Sequence, residues 1–186
     1  NNIIKLIHAG VELSDQIDIR DKIVDHFTAQ FSCPTIERPI LGWEGNRVLN
    51  ESQKAELEKL FSVEEVEFAL SCCDGSKAPG PDGFTMSFIK QNWGIIKEDF
   101  MRFIMDFHER GLLPKGINST YSTLIPKGNN PLAIGDYRPI SLIGCIYKLL
   151  SKVIAIRLKS VLYFLVGETQ SAFIPGRQIL DSMLIT

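Results

Sequence analysis

One long amphipathic stretch constrains the fold of this chain more than any other segment. Residues 145–166, CIYKLLSKVIAIRLKSVLYFLV, have the strongest helical pattern in the sequence. On a helical wheel one face is cationic and the opposite face is aliphatic. The cationic residues are Lys148, Lys152 and Lys159, and the aliphatic residues opposite them are Leu150, Ile154, Val161 and Leu165. The helix therefore has one solvated face and one face that belongs to a core.

Arg157 interrupts the aliphatic face of this helix. It falls between Leu149 and Leu150 on one side and Val161 on the other. A guanidinium in that position must extend to solvent or meet a buried carboxylate or carbonyl. A structural pair and a ligand contact both remain open at this point.

The remaining pattern predicts an α+β fold that is mostly helical. Four further helical segments and two short strands are expected, and the strands are joined by about ten residues, which favours a small antiparallel hairpin. Ser14 or Asp15 is expected to cap the first helix, Ser62 and Glu65 have the spacing of a capping box, and Gly111 is a natural helix stop. In the first helix the expected apolar face is Ile17, Val24, Phe27 and Phe31. The predicted helices are 14–31, 50–61, one that begins at 62, and 84–111, and the predicted strands are 121–127 and 138–143.

Composition and charge narrow the class of protein. The 186 residues are 45% hydrophobic, enough for a substantial core, and no apolar run is long enough to span a bilayer. The net charge of −2 hides an asymmetry, since residues 1–70 carry 7 Lys/Arg against 13 Asp/Glu and residues 111–186 carry 8 against 3. The basic second half is suited to phosphates. The spacing of the Cys and His residues favours reduced thiols in an intracellular protein over a zinc site.

The segment KAPGPDG, residues 77–83, is rigid and sharply bent. Pro79 and Pro81 restrict φ, Gly80 and Gly83 permit positive φ, and Asp82 is placed to cap a helix that begins near Phe84. A phosphate-binding loop of the GxxxxGK[ST] kind is excluded, because Pro-Asp stands where Lys-Ser/Thr is required. The segment itself favours neither a purely structural corner nor a nucleic-acid contact.

Five motifs in a fixed order resemble one family. KAPGPDG is followed by LIPK (124–127), YRPISL (137–142), KLLSKVIAIRL and QSAFIPGRQILDSMLI (170–185). Over residues 60–186 the chain resembles the amino-terminal part of the reverse transcriptases of non-LTR (LINE-type) retrotransposons, most like those of plants. The resemblance implies residues 51–186 as a fingers region with the palm entrance, and residues 1–50 as a helical extension or linker.

The resemblance also implies roles for individual residues. In reverse transcriptases a fingers hairpin presents cations to the incoming triphosphate, and Lys127 and Arg138 match those positions. Such residues suit phosphate, since lysine is a point charge and arginine a bidentate donor. The loop and the last motif would lie near template RNA. The implied template-side residues are Lys77, Gly80, Asp82, Gly83, Gln170, Phe173, Gly176 and Arg177.

The catalytic residues of the family are not found in this sequence. The metal-binding aspartates of the palm would come after Thr186, and Asp82, Asp136 and Asp181 are isolated from one another. The fragment is therefore expected to hold no metal and to be inactive alone, with Mg²⁺ expected only for the full polymerase. Expected partners are template RNA, a primer–template duplex, a dNTP and the missing palm and thumb, with no membrane, in the nucleus or cytoplasm.

Two alternatives from other classes remain open. The chain is compatible with a non-catalytic nucleic-acid-binding module derived from a retroelement. It is also compatible with a helical protein-interaction domain that uses the acidic helices of residues 1–70. Salt-dependent RNA binding distinguishes the nucleic-acid readings from the protein-interaction reading, because phosphate contacts release counterions.

Overall fold

The computed structural model describes residues 3–32, 47–167, 170, 174 and 176–178. Within these residues the fold is α+β, with helices predominating and two small antiparallel hairpins, as the sequence predicts for the class. The elements are β1 (Leu6–His8), β2 (Val11–Leu13), α1 (Gln16–Phe31), α2 (Glu51–Glu58), α3 (Val63–Ser71), α4 (Met86–Gln91), α5 (Trp93–Arg110), β3 (Thr120–Pro126), β4 (Tyr137–Ile143) and α6 (Cys145–Leu165), with a 3₁₀ turn at Ile134–Asp136. No described helix is both long and apolar enough to cross a membrane.

The chain divides into two compact units. The first combines residues 1–42 with 122–141, and the second combines residues 43–121 with 142–186. The sequence analysis placed a boundary after residue 50, between a helical extension and a fingers region. That boundary stays a prediction.

The first unit contains a hairpin that the sequence analysis did not predict. Strands β1 and β2 pair antiparallel, with Leu6 opposite Leu13. Ala9 and Gly10 both adopt positive φ, as the central residues of a tight two-residue turn require. Leu6 is fully buried and packs with three other buried residues of the unit, which are Ile19, Ile134 and Tyr137.

Helix α1 begins where predicted, but its apolar face was assigned wrongly. Asp15 caps it by accepting the N–H groups of Ile17 and Asp18. The buried side of the helix is formed by Ile19, with Ile23 and Phe27 partly buried against it. Three of the four residues expected on that side, Ile17, Val24 and Phe31, are exposed instead.

The second unit is built on α6, as its pattern predicts. Helices α3, α4 and α5 pack with α6 in one hydrophobic core. The predicted face of α5 is confirmed, because Phe100 and Ile104 are buried and Phe103 and Phe107 pack against them. Gly111 ends α5 in the left-handed conformation at φ 65°, also as predicted. The buried members of this core are Phe61, Val66, Ala69, Leu70, Met86, Ile89, Phe100, Ile104, Cys145, Leu149, Leu150 and Val153.

Arg157 is buried in this unit and makes a structural pair. Its Nε and Nη2 donate to the two carboxylate oxygens of Glu65 at 2.5 and 2.7 Å. Its Nη1 donates to the carbonyls of Leu57 and Lys59, and Nη2 also donates to that of Leu60. The guanidinium lies 3.9 Å from the ring centroid of Phe61. Arg157 thus satisfies carbonyls at the end of α2 that have no partner within that helix.

The Glu65 contact explains a partial error in the predicted capping box. Ser62 does cap α3 by accepting the N–H of Glu65. The reciprocal bond, from the Ser62 N–H to the Glu65 carboxylate, is absent from the described contacts, and both Glu65 oxygens accept from Arg157 instead. Of the two residues in the pattern, Ser62 caps α3 and Glu65 forms the ion pair with Arg157.

Candidate nucleic-acid interface

The segment 77–83 is docked on the amino-terminal end of α6. Asp82 Oδ2 accepts the backbone N–H of Cys145 at 2.5 Å, and the Cys145 thiol donates to the carbonyl of Phe84 at 2.9 Å. One turn later, Lys148 Nζ donates to the carbonyl of Ala78 at 3.2 Å. A carboxylate at this end of α6 binds free N–H groups and complements the helix dipole. The segment is therefore a fixed edge of the second unit.

Gly80 is needed for a different reason from the positive φ that the sequence analysis predicted. A Cβ on Gly80 would lie 2.4 Å from backbone atoms of Ile143 and Gly144, so glycine is required by close approach of two backbones. A Cβ on Gly144 would lie 2.8 Å from Asp82 Oδ2. Positive φ occurs at Gly83, at 72°, but not at Gly80. The tight turn is closed by the Gly83 N–H, which donates to the Gly80 carbonyl at 3.1 Å.

The predicted cap by Asp82 is wrong in its target. Asp82 Oδ1 does accept the N–H of Phe84, at 3.3 Å, but no helix starts there. Helix α4 is capped by Thr85, which accepts the N–H of Phe88. The carboxylate instead serves α6, which lies more than 60 residues later in the chain.

Three lysines surround a hollow of about 310 Å³ next to this segment. Lys77 is largely exposed and lies 3.7 Å from Asp74, while Lys148 and Lys152 are half-buried on α6. We call the hollow and its lining the lysine hollow; its lining is Cys72, Cys73, Asp74, Lys77, Met86, Lys148 and Lys152. Burial raises the pKa of the Cys73 thiol, and the positive charge of Lys152 and Lys90 opposes that shift.

Lys127 and Arg138 lie at the same end of the β3–β4 hairpin, in the first unit. The Lys127 N–H donates to the carbonyl of Asp136 at 2.8 Å, which closes the connection between the strands. Lys127 Nζ donates to the carbonyl of Gly135 at 2.6 Å. Arg138 is exposed, and its guanidinium has no hydrogen-bond or ion-pair partner in the described part of the chain. Their predicted role in dNTP binding stays a prediction.

Asp136 shapes this connection. Its Oδ2 accepts the N–H groups of Ala133 at 2.8 Å and Leu132 at 3.0 Å. These bonds favour the charged carboxylate and lower its pKa, and the nearby Lys127 acts in the same direction. The connection that carries the two cations is thus organised by one internal carboxylate.

Of the later template-side candidates, Arg177 has the clearest position. Its guanidinium donates to the carbonyls of Gly167 and Gln170, and to that of Val166 at 3.2 Å. It also lies 5.1 Å from the ring centroid of Tyr163. Gln170 and Gly176 are exposed, and Gly176 has a positive φ of 79°. Phe173 and Asp181 lie outside the described residues.

Sequence reasoning placed Lys77 in the interface but missed the two lysines that lie beside it. Lys148 and Lys152 were assigned to a solvated stripe together with Lys159. The sequence shows that Lys148 and Lys152 are four residues apart and so lie on one helix face. It does not show that the segment 77–83 packs beside them. Among the described residues no group of three or more His, Cys, Asp or Glu side chains is arranged to hold a metal ion.

Comparison with known proteins gives one informative relative. No family model matches the chain. Over 178 residues, 95% of this chain, it is 33% identical to the "Transposon TX1 uncharacterized 149 kDa protein" of Xenopus laevis. The chain spans 14% of the length of that relative. This similarity supports a transposon origin for the chain.

Proposed function

We propose that this chain is the fingers portion, with part of the palm entrance, of the reverse transcriptase of a LINE-type retroelement. It contributes contacts to template RNA and to the incoming dNTP, and it depends on another part of the polymerase for the catalytic metals. The observation that carries the proposal is the sequence itself, read in two ways. Five motifs occur in the family's order, and similarity to a transposon protein extends over 95% of the chain.

The hairpin connection is the proposed dNTP side. Arg138 is an exposed arginine without a partner among the described residues, and Lys127 is anchored through one bond to a carbonyl. Phosphate oxygens would replace that carbonyl contact and occupy the free guanidinium. Asp136 orders the backbone of the turn beside both cations, so little ordering of the backbone is needed on binding.

The docked segment 77–83 is the proposed template side. It is held on α6 through the Asp82 carboxylate and the Ala78 carbonyl, and the next residue, Phe84, is bonded to α6 as well. Lys77 projects from the segment as an exposed cation. A preformed edge with a cation suits an RNA backbone, which is recognised by charge and shape. Lys77→Ala should weaken RNA binding and lower the salt slope by about one unit, with stability changed by no more than about 0.5 kcal/mol.

Salt-dependent RNA binding tests the proposal. Fluorescence anisotropy with a labelled single-stranded RNA oligonucleotide, repeated across a salt series, should show affinity that falls as salt rises. If the folded chain binds no RNA at low salt, the proposed function is wrong. The chain is then expected to be a protein-interaction domain that uses the acidic helices of residues 1–70. RNA binding without any contribution of Lys127 and Arg138 to polymerisation would favour a non-catalytic binding module.

The dNTP side is tested in a polymerase that joins this chain to the palm and thumb of its parent. Arg138→Ala should raise the KM for dNTP while RNA affinity stays unchanged. Lys115→Ala is a suitable control, because Lys115 is also exposed and lies outside the hairpin connection. An equal KM in both variants would remove Arg138 from the proposed site.

A further inference from the structure

We propose that the lysine hollow is a second phosphate-binding site, at which Lys148 and Lys152 of α6 join Lys77 in holding a backbone phosphate of single-stranded RNA. The proposal rests on the proposed function and extends the template side from the segment 77–83 onto a helix face. It adds two residues to the interface that neither the motifs nor the family resemblance assigned.

The first argument is the charge of the hollow. Three lysines line it, and the single carboxylate in its lining, Asp74, lies 3.7 Å from Lys77. Lys90 lies close by, donating to the carbonyls of Ser71 and Cys73. The excess of positive charge occurs in a chain whose net charge is −2. Gathering like charges around a hollow is unfavourable unless an anion joins them.

The second argument is the state of Lys152. It is half-buried, yet within the described residues its Nζ has no hydrogen-bond or ion-pair partner. Its stem is covered while its ammonium stays accessible, since no buried side-chain nitrogen among the described residues lacks a partner, so the charge is available to an anion. A phosphate oxygen in the hollow would supply both the acceptor and the opposite charge.

The third argument is the way the hollow is built. Lys148 Nζ is fixed by the carbonyl of Ala78, which joins the helix face to the segment 77–83. Lys148 and Lys152 line the hollow together with Cys73, and Lys90 lies close to it through its bond to the Cys73 carbonyl. A volume of about 310 Å³ is sufficient for a phosphate group and its hydration water.

RNA is favoured over a free polyphosphate because the hollow adjoins the exposed segment 77–83, which Lys77 shares with it. Lys77 belongs both to the lining of the hollow and to the segment 77–83. A strand with phosphates at regular intervals can contact the exposed edge and the hollow together, whereas a small anion uses only the hollow.

Lys152→Ala is the decisive variant, and Lys159→Ala is its matched control. Lys159 lies on the same cationic face of α6, is exposed, and does not line the hollow. In anisotropy titrations with a labelled 15-nucleotide RNA, Lys152→Ala should lose about 3–10-fold in affinity near 0.1 M salt and lower the salt slope by about one unit. Lys159→Ala should match the unsubstituted chain in both measurements.

A chemical readout locates the contact independently of affinity. Cys72 is an exposed thiol in the lining of the hollow. Bound RNA should slow its alkylation by a maleimide, measured by mass spectrometry with fragmentation that separates Cys72 from Cys73. Sodium tripolyphosphate is the second probe, and it should protect Cys72 less than RNA at equal phosphate concentration.

Each outcome bears on the proposal. Loss of affinity in Lys152→Ala with protection of Cys72 by RNA supports it. Equal RNA affinity in Lys152→Ala, Lys159→Ala and the unsubstituted chain overturns it and leaves the proposed function standing. Protection by tripolyphosphate alone overturns the assignment to RNA. Absence of salt-dependent RNA binding in the unsubstituted chain contradicts the proposed function itself. Thermal melts of both variants show whether each remains folded.

Discussion

At the scale of single residues, Arg157 should be the side chain on which the second unit depends most. It donates five hydrogen bonds, to Glu65 and to the carbonyls of Leu57, Lys59 and Leu60, which uses every N–H of its guanidinium. Arg157→Met would leave the carboxylate and these carbonyls without their donor. We expect a loss of about 3–5 kcal/mol in the free energy of unfolding, measured by urea denaturation.

Arg102→Met is the control for this prediction. Arg102 is exposed and pairs with Asp99 on the surface of α5, so its removal should change stability by no more than about 0.5 kcal/mol. The folded fraction of Arg157→Met should keep the RNA affinity of the unsubstituted chain. Selective loss of RNA binding with an unchanged melting temperature would mean that Arg157 contacts the ligand after all.

Gly80 and Gly94 should respond to alanine with opposite signs. At Gly80 the new Cβ would overlap the backbone of Ile143 and Gly144, and overpacking of this kind costs about 1–3 kcal/mol. At Gly94, in the first turn of α5, a Cβ meets nothing within 4 Å, and alanine should stabilise by at most the roughly 0.5–1 kcal/mol that applies in the middle of a helix. Thermal melts of the two variants check both signs. A neutral Gly80→Ala would show that the loop can move away from α6.

The same residues show how far sequence reasoning reaches at this scale. The helical wheel identified Arg157 as anomalous, because periodicity along one helix is local information. Its partner Glu65 is 92 residues away, and a capping-box pattern gave that glutamate a different use. Gly80 was predicted to need positive φ, whereas the true reason is a backbone that approaches from β4. Close approach between distant segments leaves no mark in the local pattern.

At the scale of elements, the β3–β4 connection should lose stability in acid through Asp136. Hydrogen bonds from Ala133 and Leu132 hold its pKa below the ordinary value in the folded state. A depressed folded-state pKa stabilises the fold above the unfolded value of about 3.9, and this contribution disappears as pH falls through the folded-state pKa. Asp136→Asn is the control, because its side chain keeps an oxygen acceptor but has no carboxyl group that titrates.

Amide hydrogen exchange at Leu132 and Ala133 measures the effect directly. In the unsubstituted chain, protection of these two amides should decrease as pH is lowered from about 5 to below 4, after correction for intrinsic exchange. In Asp136→Asn the corrected protection should be nearly constant over that range. A parallel decrease in both proteins would assign the acid sensitivity to another group.

The predicted helices and the two predicted strands all occur in the described part of the chain, whereas strands β1 and β2 were not predicted. Helices α1, α3 and α5 have local start or stop signals in Asp15, Ser62 and Gly111. Strands β1 and β2 have three residues each, too few to show an alternation. The buried side of α1 was missed because the helix carries apolar residues on more than one side, and only its tertiary partners determine which side is covered.

At the scale of the whole molecule, the isolated 186-residue chain should extend no primer with any template, nucleotide or divalent metal. The reason is that the metal-binding aspartates implied by the family resemblance do not occur in these 186 residues. A primer-extension assay with an intact reverse transcriptase as positive control measures this. Extension above a no-protein reaction would contradict the assignment of the chain to a fingers portion.

The docking of segment 77–83 and the α2–α3 connection onto α6 has a consequence for synthesis on the ribosome. The acceptors for Arg157 and for the N–H of Cys145 are made first, and their donors follow 92 and 63 residues later. Chain synthesis proceeds at about 5–20 residues per second, so roughly 5–20 s pass between the synthesis of α3 and the completion of α6. During that interval the apolar faces of the early helices are available to chaperones, and a pause or truncation before residue 145 would leave a nascent chain that cannot close its core.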